Sequence, residues 1–255
     1  GVYRSENKGD SWTQVNNGLT DLDIRALVVS GSALFAGIFC GGVCRSQDNG
    51  NTWTFLRTGL DYNSVMAFAI NGSDLFVGTI DNGVFRSTDN GNSWEQVFSG
   101  TRIVGAGAFV TSGSALLAST DLGVYRSIDD GSSWTEIAID STSWSFNSSA
   151  ASGLYLFCES FNGIFRSADN GETWEIVYDG FTNYTPAALI ANNAFLFAGT
   201  KGIGVFRSAN NGESWTAVNS GLPESAQVIS SLAVKDQYLF TGTEESGVFR
   251  SANNG

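Results

Sequence analysis

One short phrase returns seven times along the chain and constrains its fold more than any other feature. It reads glycine, Val or Ile, usually an aromatic residue, Arg and Ser, and an Asp or Asn and a glycine follow it. The copies begin at Gly1, Gly42, Gly83, Gly123, Gly163, Gly204 and Gly247, so the steps are 41, 41, 40, 40, 41 and 43 residues. A period of about 40 to 45 residues indicates a repeat architecture in which each unit buries its faces against its neighbours.

The repeat from Asp23 to Leu56 predicts four short strands separated by turns. Apolar or alternating segments cover 24–29, 33–37, 42–46 and 53–56, and Gly, Ser, Asp and Asn fill the connections between them. Four antiparallel strands in about 41 residues form one propeller blade. The sequence therefore predicts an all-β fold, a six-bladed β-propeller of four-stranded antiparallel blades, in one domain over residues 1–255.

The two ends of the chain are predicted to close the ring. Gly1 and Gly247 stand six periods apart, so the N-terminal strands three and four and the C-terminal strands one to three share one blade. One third strand is then surplus. We expect it to continue into tandem repeat domains or to mediate head-to-tail self-association by strand addition.

The turn between strands three and four follows the pattern Ser-x-Asp-x-Gly-x-Ser/Thr-Trp, and we call it the aspartate turn. A short Asp side chain accepts backbone N–H bonds, glycine supplies a positive φ, and Trp plugs the space beside the next sheet. Asn7 and Asn210 replace Asp in the first and sixth copies. The predicted structural residues are Asp48, Asp89, Asp129, Asp169, Trp12, Trp53, Trp94, Trp134, Trp174 and Trp215, with the Trp side chains in equivalent buried positions.

This turn resembles the Asp box, or BNR repeat, of sialidase-like propellers, and the resemblance covers the whole chain. The wording Gly-Val-Phe-Arg-Ser-x-Asp-Asn-Gly-x-Ser-Trp is most similar to secreted bacterial BNR-repeat proteins, which implies a secreted or cell-surface bacterial location. The family includes glycosidases, sorting receptors and an assembly factor. The resemblance therefore implies a fold and leaves the function open.

Two features argue against sialidase chemistry. Sialidases need three clustered arginines, but none of the positions aligned with Arg25 is an arginine: they are Met66, Gly107, Asn147, Ala187 and Ser230. The Arg-Ile-Pro element of many sialidases is also missing. We expect a noncatalytic interaction or assembly module; the alternative is a carbohydrate-active enzyme or lectin that uses the inter-blade loops.

The loops between blades differ from repeat to repeat and lie opposite the aspartate turns. Their aromatic residues could stack on sugar rings or anchor a protein, or they could simply cover the blade ends. The candidate ligand-binding residues are Arg25, Tyr62, Trp144, Phe181 and Tyr184. The predicted partner of this face is a protein or a glycan.

The arginine of the repeated phrase is predicted to be structural, because one residue at one radius in every blade can stack on Trp and satisfy turn carbonyls. Calcium at the aspartate turns is not expected, since one turn offers one or two side-chain oxygens and calcium needs six or more ligands. We predict no metal and no cofactor. The arginines are Arg4, Arg45, Arg86, Arg126, Arg166, Arg207 and Arg250.

Composition excludes several classes of function. The net charge of −12 repels phosphate backbones, so nucleic acid is not an expected partner, and no apolar run is long enough for insertion into a membrane. Histidine is absent, which removes the commonest general base. Cys158 is predicted to be a buried filler, whereas Cys40 and Cys44 form either a strained disulfide or two free thiols.

Overall fold

The structure is a computed structural model of all 255 residues. It describes the chain except residues 61–62, 104–107, 138–145, 147, 161–162, 179–185 and 193, and for Ser160 and Tyr178 it describes the backbone alone. The chain divides into two compact units, Gly1–Thr135 and Glu136–Gly255.

The first unit contains a two-stranded sheet followed by three four-stranded sheets. Its strands are β1 (Tyr3–Arg4), β2 (Thr13–Gln14), β3 (Ile24–Ser30), β4 (Ala33–Ile38), β5 (Gly42–Ser46), β6 (Thr54–Leu56), β7 (Val65–Asn71), β8 (Asp74–Thr79), β9 (Gly83–Ser87), β10 (Glu95–Phe98), β11 (Phe109–Ser112), β12 (Ala115–Thr120), β13 (Gly123–Ser127) and β14 (Thr135–Ile137), the last of which continues past the boundary. The sheets are β1-β2, β3-β4-β5-β6, β7-β8-β9-β10 and β11-β12-β13-β14.

The second unit contains two four-stranded sheets and a final three-stranded sheet. Its strands are β15 (Ser148–Ser152), β16 (Tyr155–Ser160), β17 (Gly163–Ser167), β18 (Glu175–Tyr178), β19 (Pro186–Ala191), β20 (Leu196–Thr200), β21 (Val205–Ser208), β22 (Thr216–Ala217), β23 (Ile229–Lys235), β24 (Tyr238–Thr243) and β25 (Val248–Ser251). The sheets are β15-β16-β17-β18, β19-β20-β21-β22 and β23-β24-β25. A 3-10 turn at Glu224–Ala226 precedes β23.

The predicted fold class is confirmed: the chain is an all-β, six-bladed β-propeller of antiparallel blades. Blades 1 to 5 are the four-stranded sheets in chain order, and blade 6 begins with β23-β24-β25. Closure of the ring by the two termini stays a prediction, as does the single domain. Among the residues that the structure describes, no helix is long and apolar enough to cross a membrane.

Side-chain alternation sets which face of each sheet is buried. In β7 buried and partly buried residues alternate along the whole strand, as expected for a strand with a neighbouring blade on each side. Within each unit the core consists of layers between successive sheets. In one layer Phe35 and Val43 of blade 1 pack with Val65 and Val77 of blade 2. The sheets of a unit therefore stabilise one another, as the repeat predicted.

The cysteines resolve the alternative that the sequence left open. Cys40 is exposed, Cys44 is buried, and both are free thiols. Burial raises the pKa of the Cys44 thiol. Cys158 is fully buried in β16, where Ala36, Val77 and Ala198 are buried at the matching positions of other blades, so its predicted role as filler is confirmed.

Candidate functional site

Four of the five predicted ligand-binding residues lie outside the described residues: Tyr62, Trp144, Phe181 and Tyr184. Their role stays a prediction. Arg25 is described, near the start of β3. Its side chain is 44% exposed and forms an ion pair with Asp23, 2.8 Å from Nε to Oδ1. The guanidinium also stands 5.0 Å from the centre of the Phe39 ring.

This arrangement limits what Arg25 can do. The Asp23 carboxylate neutralises much of its charge, and a second contact of 2.9 Å joins Nη2 to Oδ2. An anionic ligand would have to compete with this carboxylate, whereas a sugar hydroxyl could share its hydrogen bonds. Arg25 with Phe39 therefore suits a neutral polar ligand better than a carboxylate or phosphate.

Arg102, on a later loop, is occupied by its own surroundings. Its Nε donates to the main-chain oxygen of Ile80 at 2.9 Å. Its main-chain N–H donates to Asp121 Oδ1 at 2.8 Å. These bonds tie the loop to the blade ends on either side, so Arg102 acts as a structural residue.

The aspartate turns form a closed set of short hydrogen bonds. In the second turn Ser46 Oγ donates to Asp48 Oδ1 at 2.8 Å and accepts from the N–H of Gly50 at 2.8 Å. Thr52 donates from its main-chain N–H to Oδ1 and from its hydroxyl to Oδ2 of Asp48. The same pattern recurs around Asp89, Asp129 and Asp169. Both carboxylate oxygens are therefore used within the turn.

These hydrogen bonds stabilise the ionised carboxylates. The Thr52 hydroxyl, followed by its N–H and the Ser46 hydroxyl, lowers the pKa of Asp48 to about 2. Desolvation raises the pKa of Asp169, but the bonds from Thr173 and Ser167 outweigh it and hold the pKa at about 2. The pKa values of Asp89 and Asp129 are lowered chiefly by the hydroxyls of Ser93 and Ser133.

The backbone of the turn is left-handed at two successive residues. Asn49 has φ 58° and Gly50 has φ 86°, so the asparagine shares the role that the sequence assigned to glycine alone. The Asn-Gly pair in the sequence indicates this conformation, because Asn tolerates positive φ better than other non-glycine residues. Where Asn replaces Asp, as at Asn210, Oδ1 accepts the N–H of Ser214 and Nδ2 donates to its hydroxyl. The turn thus keeps its shape without the charge.

The turns do not assemble a cation site in the part of the chain that the structure describes. No group of three or more His, Cys, Asp or Glu side chains there is placed to hold a metal ion. Each Asp oxygen also already accepts a hydroxyl or an N–H, which leaves the turns structural.

The repeated arginine bridges successive blades. Arg45 Nη1 donates to the main-chain oxygen of Asn90 at 2.7 Å and to Asn92 Oδ1 at 3.0 Å, both in the next aspartate turn. The main-chain oxygens of Asn49, Asn211 and Asn254 are bound in the same way by Arg4, Arg166 and Arg207. The prediction that these arginines satisfy turn carbonyls is confirmed for these four residues.

For three of the arginines the expected stacking on Trp is wrong. Arg166, Arg207 and Arg250 lie over the rings of Tyr155, Phe195 and Tyr238, 5.0, 4.6 and 5.4 Å from the ring centres. These rings stand at the start of the second strand of the same blade, diagonally across the ladder, where an extended guanidinium reaches them. This pairing was not predicted, because it depends on the register between the second and third strands.

Arg86 departs from the pattern. It forms an ion pair with Asp74 of its own blade, with 2.8 Å between Nε and Oδ2, and both side chains are largely buried. Asn71 Nδ2 instead donates to Asp130 Oδ1, in the next aspartate turn, at 3.0 Å. Blade 2 therefore keeps the bridge between blades with a different donor.

The six Trp side chains of the turns are not equivalent, so their predicted common burial is wrong. Trp53 and Trp94 are buried, Trp134, Trp174 and Trp215 are partly buried, and Trp12 is 47% exposed. Trp53 packs against Val15 of the preceding sheet, and its Nε1 donates to the Val15 main-chain oxygen at 2.8 Å. Trp12 belongs to the first sheet of its unit, which has no preceding sheet in Gly1–Thr135. Burial of each Trp thus depends on the sheet before it.

Glu159 is a buried carboxylate that the sequence analysis missed. It lies near the end of β16, opposite Ser148, and its side chain is fully buried. The matching position is glycine in four other blades, at Gly37, Gly78, Gly199 and Gly242. The glutamate in place of this repeated glycine is the feature of the sequence that distinguishes the position. The position is at the end of blade 4 where β15 begins.

The fold and these turns define the class of protein as a repeat-built β-propeller whose recurring polar residues are structural. No protein-family model matches the chain, and no curated protein matches it. Its resemblance to proteins of known structure is one of fold.

Three solved structures show this likeness. A GH74 xyloglucanase from Xanthomonas campestris has a TM-score of 0.73 at 18% identity, over 99% of this chain and 48% of that one. YCF48 bound to a D1 peptide has a TM-score of 0.69 at 16% identity, over 95% of this chain and 81% of that one. The extracellular domain of BT4673 from B. thetaiotaomicron has a TM-score of 0.75 at 15% identity, over 96% of this chain and 35% of that one. The chain thus spans about half of the xyloglucanase and about a third of the BT4673 extracellular domain.

Proposed function

We propose that the chain is a noncatalytic, extracellular bacterial interaction module of the Asp-box type, which binds a protein or a glycan at its inter-blade loops. The observation that carries this proposal is that the recurring polar residues form hydrogen bonds that stabilise the fold. Asp48 and its equivalents use both carboxylate oxygens within the turns, and Arg45 and its equivalents bridge blades. Chemistry that differs between repeats is left to the loops.

The structural neighbours support both kinds of partner. One is named as a xyloglucanase, one as bound to a peptide, and one as an extracellular domain. A propeller of this topology is therefore compatible with glycan and protein ligands. Arg25, paired with Asp23 and lying over Phe39, supplies polar hydrogen-bonding groups beside an aromatic face, a combination typical of sugar sites.

A glycan array containing xyloglucan, cellulose and sialylated oligosaccharides tests this proposal, together with thermal melting. Trp144→Ala should abolish most binding and leave Tm nearly unchanged, because a platform residue contributes to the ligand and little to the core. Trp12→Ala, at an exposed Trp on the aspartate-turn side, is the matched control and should keep full binding. If Trp144→Ala binds normally but melts much earlier, Trp144 is a core residue and the platform is wrong.

A carbohydrate-active enzyme is the second candidate, and Glu159 favours it. A buried carboxylate at the loop end of a blade is a typical setting for a general acid. Glycoside hydrolysis needs a second carboxyl group, which the loops would have to supply. Release of reducing sugar from xyloglucan that disappears in Glu159→Gln, with unchanged Tm, would favour the enzyme and exclude the noncatalytic module.

A further inference from the structure

In blades 2, 3, 5 and 6 a threonine ends the second strand and holds the loop to the third strand. The Thr79 hydroxyl of blade 2 donates to the main-chain oxygen of Gly83 at 3.0 Å and accepts the N–H of Asn82 at 3.1 Å. The same two bonds are formed in the other three blades by Thr120, Thr200 and Thr243. We call this arrangement the threonine cap. It fixes the loop with a side chain of its own blade.

Blade 1 lacks the threonine cap, because Ile38 stands at the matching position and has no hydroxyl. Its loop, residues 39–41, is bound instead by a residue of another blade. The N–H of Cys40 donates to the hydroxyl of Ser64, directly before β7, at 3.0 Å. Ser64 is 5% exposed, so this hydrogen bond is sheltered from water. The conformation of the loop in blade 1 therefore depends on a side chain of blade 2.

The backbone of Cys40 is strained. Its φ of 53° is left-handed, a region that side chains other than Asn and Asp rarely adopt. Among the described residues, the other non-glycine residues with positive φ lie in the aspartate turns or, for Asp236, in a hairpin. Asp81, which matches Cys40 in blade 2, is not one of them, although the two loops have the same length. Strain of this kind persists where the surroundings hold it, and it clusters at functional sites.

The strained residue adjoins the aromatic residue of the candidate site. Phe39 precedes Cys40, its N–H donates to the main-chain oxygen of Asp23 at 3.0 Å, and its ring lies 5.0 Å from the Arg25 guanidinium. The peptide group that Ser64 binds is the one that joins Phe39 to Cys40. The Ser64 hydroxyl therefore fixes the direction in which the chain leaves Phe39, and with it the place of the ring beside Arg25.

We propose that Ser64 is a positioning residue that holds Phe39 beside Arg25 and Asp23 for an uncharged sugar. This inference rests on the function proposed above and takes the glycan of its two kinds of partner. The ring offers an apolar surface, and the ion pair of Arg25 with Asp23 offers donors and acceptors to hydroxyl groups. Asp21, whose Oδ1 accepts the N–H of Asp23 at 2.9 Å, adds a negative charge that repels acidic sugars.

Two variants of the complete chain separate the loop from the packing of blade 2. Ser64→Ala removes the acceptor of the Cys40 N–H. Adding Cys40→Gly to it removes the strain, because glycine adopts positive φ without support. If Ser64 acts through the backbone of Cys40, the double variant regains binding, whereas a defect confined to blade 2 is not repaired by a change in blade 1. Thr79→Val, which removes a buried hydroxyl from the loop of blade 2, is the matched control.

Isothermal titration calorimetry measures the affinity for three uncharged probes, cellohexaose, maltohexaose and mannohexaose, and for trigalacturonic acid as the acidic probe. We expect the wild type to bind an uncharged probe and to reject the acidic one. Ser64→Ala should lower the affinity about tenfold, because its loop adopts the binding conformation for a small fraction of the time. The double variant and Thr79→Val should bind like the wild type. Full binding by Ser64→Ala, or a double variant that binds no better than Ser64→Ala, would overturn the proposal.

Labelling of Cys40 with DTNB tests the loop without a ligand. Cys40 is exposed, whereas Cys44 and Cys158 are buried, so Cys40 should react first. Labelling should be several times faster in Ser64→Ala than in the wild type and unchanged in Thr79→Val, and a bound hexaose should slow it. An unchanged rate in Ser64→Ala would refute the positioning role even if the wild type binds sugar. A wild type that binds none of the probes would instead refute the glycan as partner, and the sugar assigned to this site with it.

Discussion

Replacing Trp53 by alanine should lower the free energy of unfolding by about 3–5 kcal/mol, whereas the same change at Trp12 should cost about 1–2 kcal/mol. Trp53 is buried in the layer between the first two sheets and donates a hydrogen bond of 2.8 Å to the Val15 main-chain oxygen. Truncation leaves a cavity beside Val15 and removes that donor. Trp12 is 47% exposed and loses about half as much buried surface.

Urea unfolding followed by far-UV circular dichroism measures both variants without relying on the fluorescence of the deleted side chain. For a chain of this size, the loss at Trp53 corresponds to a fall in Tm on the order of 10 °C. The comparison holds only if the m-value, the slope of the unfolding free energy against urea concentration, is the same in both variants. A repeat array that unfolds blade by blade changes this slope. Equal losses at Trp12 and Trp53 would refute the conclusion that the preceding sheet decides the burial of each Trp.

Three further predictions concern the turns and the bridges between blades. Asp48→Asn should make the free energy of unfolding depend less on pH in acid. The pKa of Asp48 is about 2, below its ordinary 3.8, so its ionised form stabilises the fold above pH 3.8 and this contribution is lost as the pH falls towards 2. Urea unfolding at each pH measures this dependence, and a pH dependence equal to that of the wild type would contradict the prediction. Arg45→Lys should cost about 1 kcal/mol, since one Nη1 bonds both Asn90 and Asn92, while Arg57→Lys on a loop should cost less than about 0.5 kcal/mol by the same assay. Gly59→Ala should lower Tm much more than Gly72→Ala. Both glycines have positive φ, but an added Cβ meets the Trp94 main-chain oxygen only at Gly59. Equal shifts in Tm would show that backbone strain alone is responsible.

The sequence alone determined the features that depend on neighbours along the chain. The aspartate turn could be predicted from Ser46, Asp48 and Thr52 because its bonds span at most four residues, and the period then predicted the blades. The buried Cys158 followed from its register with other repeats.

The tertiary structure decided everything that depends on what stands beside a blade. The exposure of Trp12, the contact of Arg45 with a turn 45 residues later, and the ring under Arg166 depend on which sheet or strand is adjacent. Glu159 shows the same limit, because a carboxylate in place of glycine is visible in the sequence while its complete burial is not. A repeated sequence specifies the same local conformation in every copy, but the solvent exposure and contacts of each copy come from its place in the array.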